Sequence, residues 1–461
     1  MLDRPAPAGW TAPEEVAWIA GPQALADALA MPASRNDGAM ASCLLEPSGY
    51  AVARDSRGGH AVLDVGQHGY MNAGHAHADA LSIVLALDGR PFLIDPGTCT
   101  YTVDPVLRDR MRSSMSHNTV TIDGRSPSIP DGPFHWQTRT DATLDAWRQN
   151  GAVDWAEATH AGYAPLVHRR SLVRSAAGWL IADEILGSGH HDAAAHWHID
   201  PEWVLHAEPG RIRASRSSGE PVWLLHDGPR AELFRADGEA GLGWYAPVYG
   251  MLLPSPTARV MVSGEGPLSS VTWIGQGSQW RQPALSHIAA ECDSVSAAIA
   301  VQIADADRVA TYLLRPGSDT ATLTRHCRLE DSRTDARVLH HVAAGPRLVS
   351  IDLIDARQFI TDRRGWISIE ADEPFGDLHV EFVDHIIHLR ASVPPPPLRL
   401  RGVTAAQRVR LNGRDLPHAN AMQLHTLLIH PADWHSPDPS PARPWPQPGA
   451  TFADHSRATG R

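Results

Sequence analysis

The chain predicts a mainly β fold: a large antiparallel β-sandwich preceded by a short helical segment. Two observations carry this. Short runs rich in Val, Ile, Leu, Trp and Thr alternate with Gly, Pro, Asp and Ser clusters over most of the sequence, the signature of many short strands joined by turns. Helical periods do not intervene between those runs, which excludes a doubly wound α/β architecture. At 461 residues, with 43% apolar and 20% charged side chains, the chain has the composition of a globular protein. It is long enough for one large β body with additions.

Residues 1–45 read as helical. Thr11 and Glu14 have capping-box spacing and Pro13 suits a first turn. Gly21-Pro22 interrupts the pattern, and a second short helix runs through Leu29. Residues 46–395 form the predicted sandwich. Its strands include Tyr50–Arg54, Ala80–Leu87, Phe92–Asp95, Thr119–Asp123, Trp179–Ile185, Ala194–Asp200, Arg259–Ser263 and Val309–Leu314. The run SVPPPP at Ser392–Pro397 punctuates the body. Residues 396–430 hold a further hairpin around Val409–Asn412 and Gly413-Arg414, and 431–461, rich in Pro, Asp, Ser and Arg, read as a disordered tail.

A net charge of -12 gives no sign of a nucleic-acid binder. Two basic runs stand out, Arg108/Arg110/Arg112 and His168/Arg169/Arg170/Arg174. Each is either a solvated face or a local attractor for an anionic substrate. No apolar run reaches the roughly 18 residues that span a bilayer, and MLDRPAPAGWTAPEE lacks the basic-then-apolar order of a signal peptide. Cys43, Cys99, Cys292 and Cys327 are too scattered to define a disulfide scaffold or zinc ribbon. Cys99, close to the histidines described next, reads as a half-buried strand residue rather than a ligand.

The chemistry concentrates in Gly74–Gly124. His75 and His77 sit two apart, so on a strand they project to one side, with Asp79 following on the same face. Asp95 ends an apolar run just before Pro96-Gly97, and His117 opens another. Such a set can form a transition-metal site, an acid/base cluster, or both. A pair two apart is weak by itself among 26 histidines, since His196 and His198 repeat it and read as a structural or solvent-facing pair.

Three ordered blocks, GHAHADALS, RPFLIDPGTCTY and RSSMSHNTVTIDG, together resemble the C-terminal β-sandwich of the heparinase II/III-like polysaccharide lyases. The resemblance is strong over about residues 46–125 and looser beyond. It implies a metal, usually zinc, held by His77, Asp95 and His117; such a metal either fixes the strands or tunes nearby histidines, and the structural role is favoured because all three ligands come from the sandwich. It also implies that His75 faces the substrate in proton transfer or charge neutralisation, with Tyr101 and Arg112 bordering the cleft. The reaction implied is β-elimination at a uronic acid of an acidic polysaccharide, in the periplasm or cell envelope.

Full members of that family place a helical toroid before the sandwich, and the toroid supplies a catalytic tyrosine. Residues 1–45 look like the tail of such a domain, with no counterpart of that tyrosine. The expectation is therefore weak or absent activity for the chain alone, and a toroid encoded upstream or separately. Two other functions remain open from the residues. One is a carbohydrate-binding module, with which 15 Trp are compatible, although most tryptophans in a sandwich are core. The other is a zinc hydrolase with Asp79 as general base.

Overall fold

Strand Gly178–Leu186 shows how the body is layered. Trp179, Ile181 and Ile185 pack into one apolar cluster, while Leu180 and Ala182 pack into another. Side chains alternate across a strand, so a strand apolar at both parities lies in a sheet covered on both faces. That sheet has eight strands, ordered Val204–Glu208, Arg211–Ser215, Val222–His226, Leu268–Gln276, Gly178–Leu186, Leu166–Ser175, Asp154–Tyr163 and Thr143–Gln149. A computed structural model of the chain describes residues 20–30, 41–292, 298–317, 326–330, 332–361, 363, 366–383, 386–403, 407–416, 422–423 and 426–434.

On one side, the middle sheet packs against a five-stranded meander (Cys43–Leu45, Tyr50–Arg54, His60–Asp64, Ile83–Leu87, Arg90–Leu93). A four-stranded sheet containing Val120–Ile122, His190–His198 and Pro256–Glu265 shares the same apolar cluster. On the other side, Trp155, Trp273 and Trp280 meet Tyr312, Val338 and Ile354 of a large C-terminal sheet. Burying side chains of this size stabilises by about 1.5–3 kcal/mol each. The predicted mainly β, antiparallel architecture is what the chain adopts. Among the described residues one pairing departs from it: Ile386–Arg390 runs parallel to Arg408–Leu411.

Strands on both sides of Ser392–Pro397 join the same C-terminal sheet, since Leu398–Arg401 pairs with Ser368–Ala371. The proline run is thus a connection within a sheet. The hairpin beyond it turns at Asn412-Gly413, both at positive φ, as a tight two-residue hairpin turn requires. The short helix Pro22–Leu29 belongs to a separate unit. The expected capping box at Thr11 and the tail from 435 onward lie outside the described residues.

Two expectations are corrected. Cys292 and Cys327 form a disulfide, because short strands 35 residues apart pair directly and face the two cysteines. The basic runs are neither solvated faces nor open attractors. His168, Arg170 and Arg174 are at most 6% exposed, and they pair with Asp183 and Asp154 on the two flanking strands. Arg108 and Arg112 are equally buried.

Candidate active site and metal centre

The stretch from Tyr70 to Ser82 is a loop, not the expected strand; strand pairing begins at Ile83. Met71, Ala73 and Leu81 take positive φ, which breaks any extended run. The loop is instead fixed by its backbone. Ala78 N–H donates to Arg112 O (2.8 Å), Ser114 Oγ donates to Ala78 O (2.5 Å), and Thr119 Oγ1 donates to Ala80 O (2.9 Å). Ala78 and Ala80 are buried against this support, while His77 and Asp79 turn to the other side, toward His117.

The RPFLIDPG block contributes Asp95. Gly97 N–H donates to Asp95 Oδ1 at 2.8 Å, closing the turn. Gly97 has φ +77, and a Cβ there would lie 2.4 Å from Ala246 O, so only glycine fits. In the third block Asn118 ties the pieces together. Its Nδ2 donates to Ile94 O (2.8 Å), and its Oδ1 accepts from His198 N–H (2.7 Å). From the middle sheet, Arg170 Nη1 donates to Leu81 O (2.7 Å) and Asn118 O (2.6 Å). One buried guanidinium thus holds the backbone beside both Asp79 and His117.

At the centre His117 is fully buried, and its Nδ1 donates to Asp95 Oδ2 at 2.8 Å. Its Nε2, also buried, meets no partner among the described residues. One ligand atom each from His77, Asp79 and His117 lie within 4.8 Å of one another. The structure thus brings the three expected ligands, His77, Asp95 and His117, into one neighbourhood. Asp79 completes the tightest group, and Asp95 contacts His117.

The electrostatics follow from burial and crowding. Burial and the neighbouring His117 hold His77 neutral, with its pKa down to about 3. Burial pushes Asp79 up. Asp64 rises to about 7 through burial and the nearby Asp79 charge. Burial works against ionising both His117 and Asp95, yet their mutual attraction prevails. His117 rises and Asp95 falls below the usual carboxylate range. The Asp95 side chain is 43% solvent-exposed despite its densely packed surroundings, so the pair is half open and its strength is nearer that of a surface pair.

Three carboxylates, Asp64, Asp79 and Asp95, thus crowd one imidazole that can neutralise only one of them. With an unpartnered buried nitrogen at the same point, this donor set fits a divalent cation. Two imidazoles with carboxylates suit zinc better than calcium or magnesium.

His75 is exposed. Its ring lies edge-on to Tyr101 (5.5 Å) and Phe134 (5.7 Å), and Tyr101 stacks on Tyr249 at 5.6 Å. Phe134 and Tyr249 escaped the sequence reading because they come from the 129–138 hairpin and a loop far along the chain. Arg112, expected at the cleft border, is 2% exposed. It donates to Ala76 O, Gly132 O and Pro133 O and packs over Trp136 at 4.2 Å. It braces the His75–His77 loop against that hairpin. Cys99 is a buried free thiol packed with Met111 and Ala246, in a loop rather than a strand. His196 and His198 are both 2% exposed and hydrogen-bonded to Thr121, Met115 O and Thr257, a structural pair.

Residues 41–342 match the family described as heparinase II/III-like, C-terminal. No curated protein matches the chain. Among solved structures, heparan sulfate lyase HepC from Pedobacter heparinus is 19% identical with a TM-score of 0.45, over 62% of this chain and 43% of that one. The heparinase III BT4657 gene product is 16% identical at a TM-score of 0.46, over 70% and 44%. A further heparinase III structure is 16% identical at 0.47, over 65% and 43%. The chain therefore spans less than half the length of these structures. No helix among the described residues is long and apolar enough to cross a membrane.

Proposed function

Because the chain belongs to the heparinase II/III-like family, we propose that it is the sandwich part of a polysaccharide lyase that cleaves a uronic-acid-containing glycan by β-elimination. The observation that carries this reading is an exposed His75 set among Tyr101, Phe134 and Tyr249, on the loop that also carries His77 and Asp79. In such a reaction the weakly acidic C–H beside the uronate carboxylate loses its proton, and the 4-linked oxygen departs. His75 is suited to proton transfer or to neutralising the carboxylate. Tyr101 and its ring partners offer flat surfaces for the sugar. Arg112 acts at one remove, by holding the loop.

A divalent metal, zinc by its donor set, would be held by His77 and His117 with the carboxylates of Asp79 and Asp95. It would neutralise the carboxylate crowd and fix the loop that presents His75, a structural contribution. The natural setting in this reading is the periplasm or cell envelope, with a helical toroid supplying the remaining catalytic groups.

The test is ultraviolet absorbance of unsaturated uronide products. The chain, alone and combined with a family toroid domain, is incubated with heparan sulfate, chondroitin sulfate, hyaluronan and alginate. Product in the combined sample, abolished by His75→Ala, is expected. Absence of product across the panel would sink the lyase reading. Glycan binding that survives His75→Ala without turnover would mark a carbohydrate-binding module instead. Saturated products would mark a hydrolase.

A further inference from the structure

A second site of different character lies in the C-terminal sheet. Strands Ile299–Ala304, Val309–Leu314 and Val338–Ala344 are neighbours there, with Gln302 opposite Thr311 and Thr311 opposite His341. These three side chains form a polar row across one face. Tyr312 and His340, one position along, face the other way, and Tyr312 bonds to Ser175 of the middle sheet. Over the polar row lies a cavity of about 390 Å3, within the size range of small-molecule sites (about 300–1,000 Å3).

The floor is polar but uncharged. Gln302 Nε2 donates to Thr311 Oγ1 at 3.4 Å. Ser332 and His341 are 7% and 5% exposed, yet Ser332 Oγ and His341 Nδ1 meet no partner among the described residues. Burial and the adjacent His340 keep His341 neutral, near pKa 3. Leaving two buried polar atoms unmatched is costly, because each has given up water without gaining a hydrogen bond. The walls are aliphatic: Ile288, Val309 and Leu329. At the rim stand one cation and one anion, Arg363 and Glu330. The guanidinium of Arg363 lies 4.8 Å over the Trp366 ring and reaches Gly345 O.

A charge set down on this floor would find no opposite charge there and would be buried unpaired, since Arg363 and Glu330 stand at the rim. A purely apolar ligand would seal in the Ser332 and His341 atoms. A ligand bearing several hydroxyls on an apolar ring satisfies both floor and walls. We propose that this cavity is a binding site for a neutral sugar unit, separate from the His75 site, with Ser332, His341 and Gln302 reading its hydroxyls. It goes beyond the lyase reading and does not depend on it, because its groups take no part in elimination.

The full chain is titrated separately with glucose, galactose, N-acetylglucosamine and glucuronic acid, by ligand-observed NMR and calorimetry. At least one neutral sugar is expected to bind with a millimolar or tighter Kd. Binding should weaken by about tenfold or more in Ser332→Val, the loss expected when a buried hydroxyl contact disappears. His341→Phe, checked for folding by circular dichroism, should block it, whereas His75→Ala should leave it intact. Failure of all three neutral sugars to bind would overturn the proposal, as would binding of glucuronic acid alone. So would affinity that survives both Ser332→Val and a folded His341→Phe, or that is lost in His75→Ala.

Discussion

The middle sheet and the His75–His117 region each bury a histidine against a carboxylate, and they balance charge in opposite ways. In the sheet, Asp183 lies between Arg170, which grips it through Nε (2.7 Å) and Nη2 (3.0 Å), and His168 Nε2 at 2.7 Å. His168 Nδ1 continues to His160, and the remaining Arg170 nitrogen holds two carbonyls. Every polar atom of Arg170 and His168 has a partner. Around His117, three carboxylates face one cationic imidazole, and a buried nitrogen has no partner among the described residues. A satisfied network fixes a fold. A surplus of one sign beside an unused donor atom marks a place for a ligand.

The largest test of that contrast is Arg170→Ala. It leaves Asp183 buried and unpaired, and should cost about 3–5 kcal/mol in urea unfolding. It should also loosen the Leu81 and Asn118 carbonyls beside the site. A loss under about 1 kcal/mol would show that the sheet network is not what holds the loop.

Acid should discriminate next. Burial alone would raise Asp183, but Arg170 and His168 prevail and lower its pKa to about 2. The unfolded chain therefore takes up this proton first. The stability it contributes is complete above about pH 4 and is lost as the pH falls toward 2, about 2 kcal/mol in all. Unfolding free energies measured down that range should show the slope, and Asp183→Asn should remove it.

The smallest expected effect has the opposite sign. Asp64 Oδ1 accepts from Gly66 N–H, a bond that asparagine can keep. Asp64→Asn should therefore leave the metal-free chain as stable as the wild type, or more stable by up to about 1 kcal/mol, by relieving like-charge crowding. A clear destabilisation in thermal melts would mean that the carboxylates at His117 are already balanced.

Much of this was legible in the sequence because alternation and turn residues are local. Tyr50–Arg54 and Val309–Leu314 fall where the pattern put them, and the three motif blocks supply the groups that meet at His117. What stayed hidden depended on pairing between distant segments. Arg170 and Asp183 are cross-strand partners, so a run that looks like a basic surface in one dimension is an interior clamp in three. Asp64 joins the site from the strand before the loop, outside the three blocks, and Tyr249 joins it from far along the chain. Asp79 stands beside His77 as the strand reading placed it, but positive-φ loop geometry at Ala73 and Leu81 brings it there, and an alternating pattern does not reveal that backbone.

Zinc stoichiometry tests the surplus-charge account most directly. The full chain is dialysed against zinc, freed of excess, and assayed by elemental analysis alongside His117→Ala, with circular dichroism confirming the fold of both. The account predicts one tightly held zinc per wild-type chain and none in the variant. A wild type that retains no zinc, or a variant that retains as much as the wild type, would contradict it.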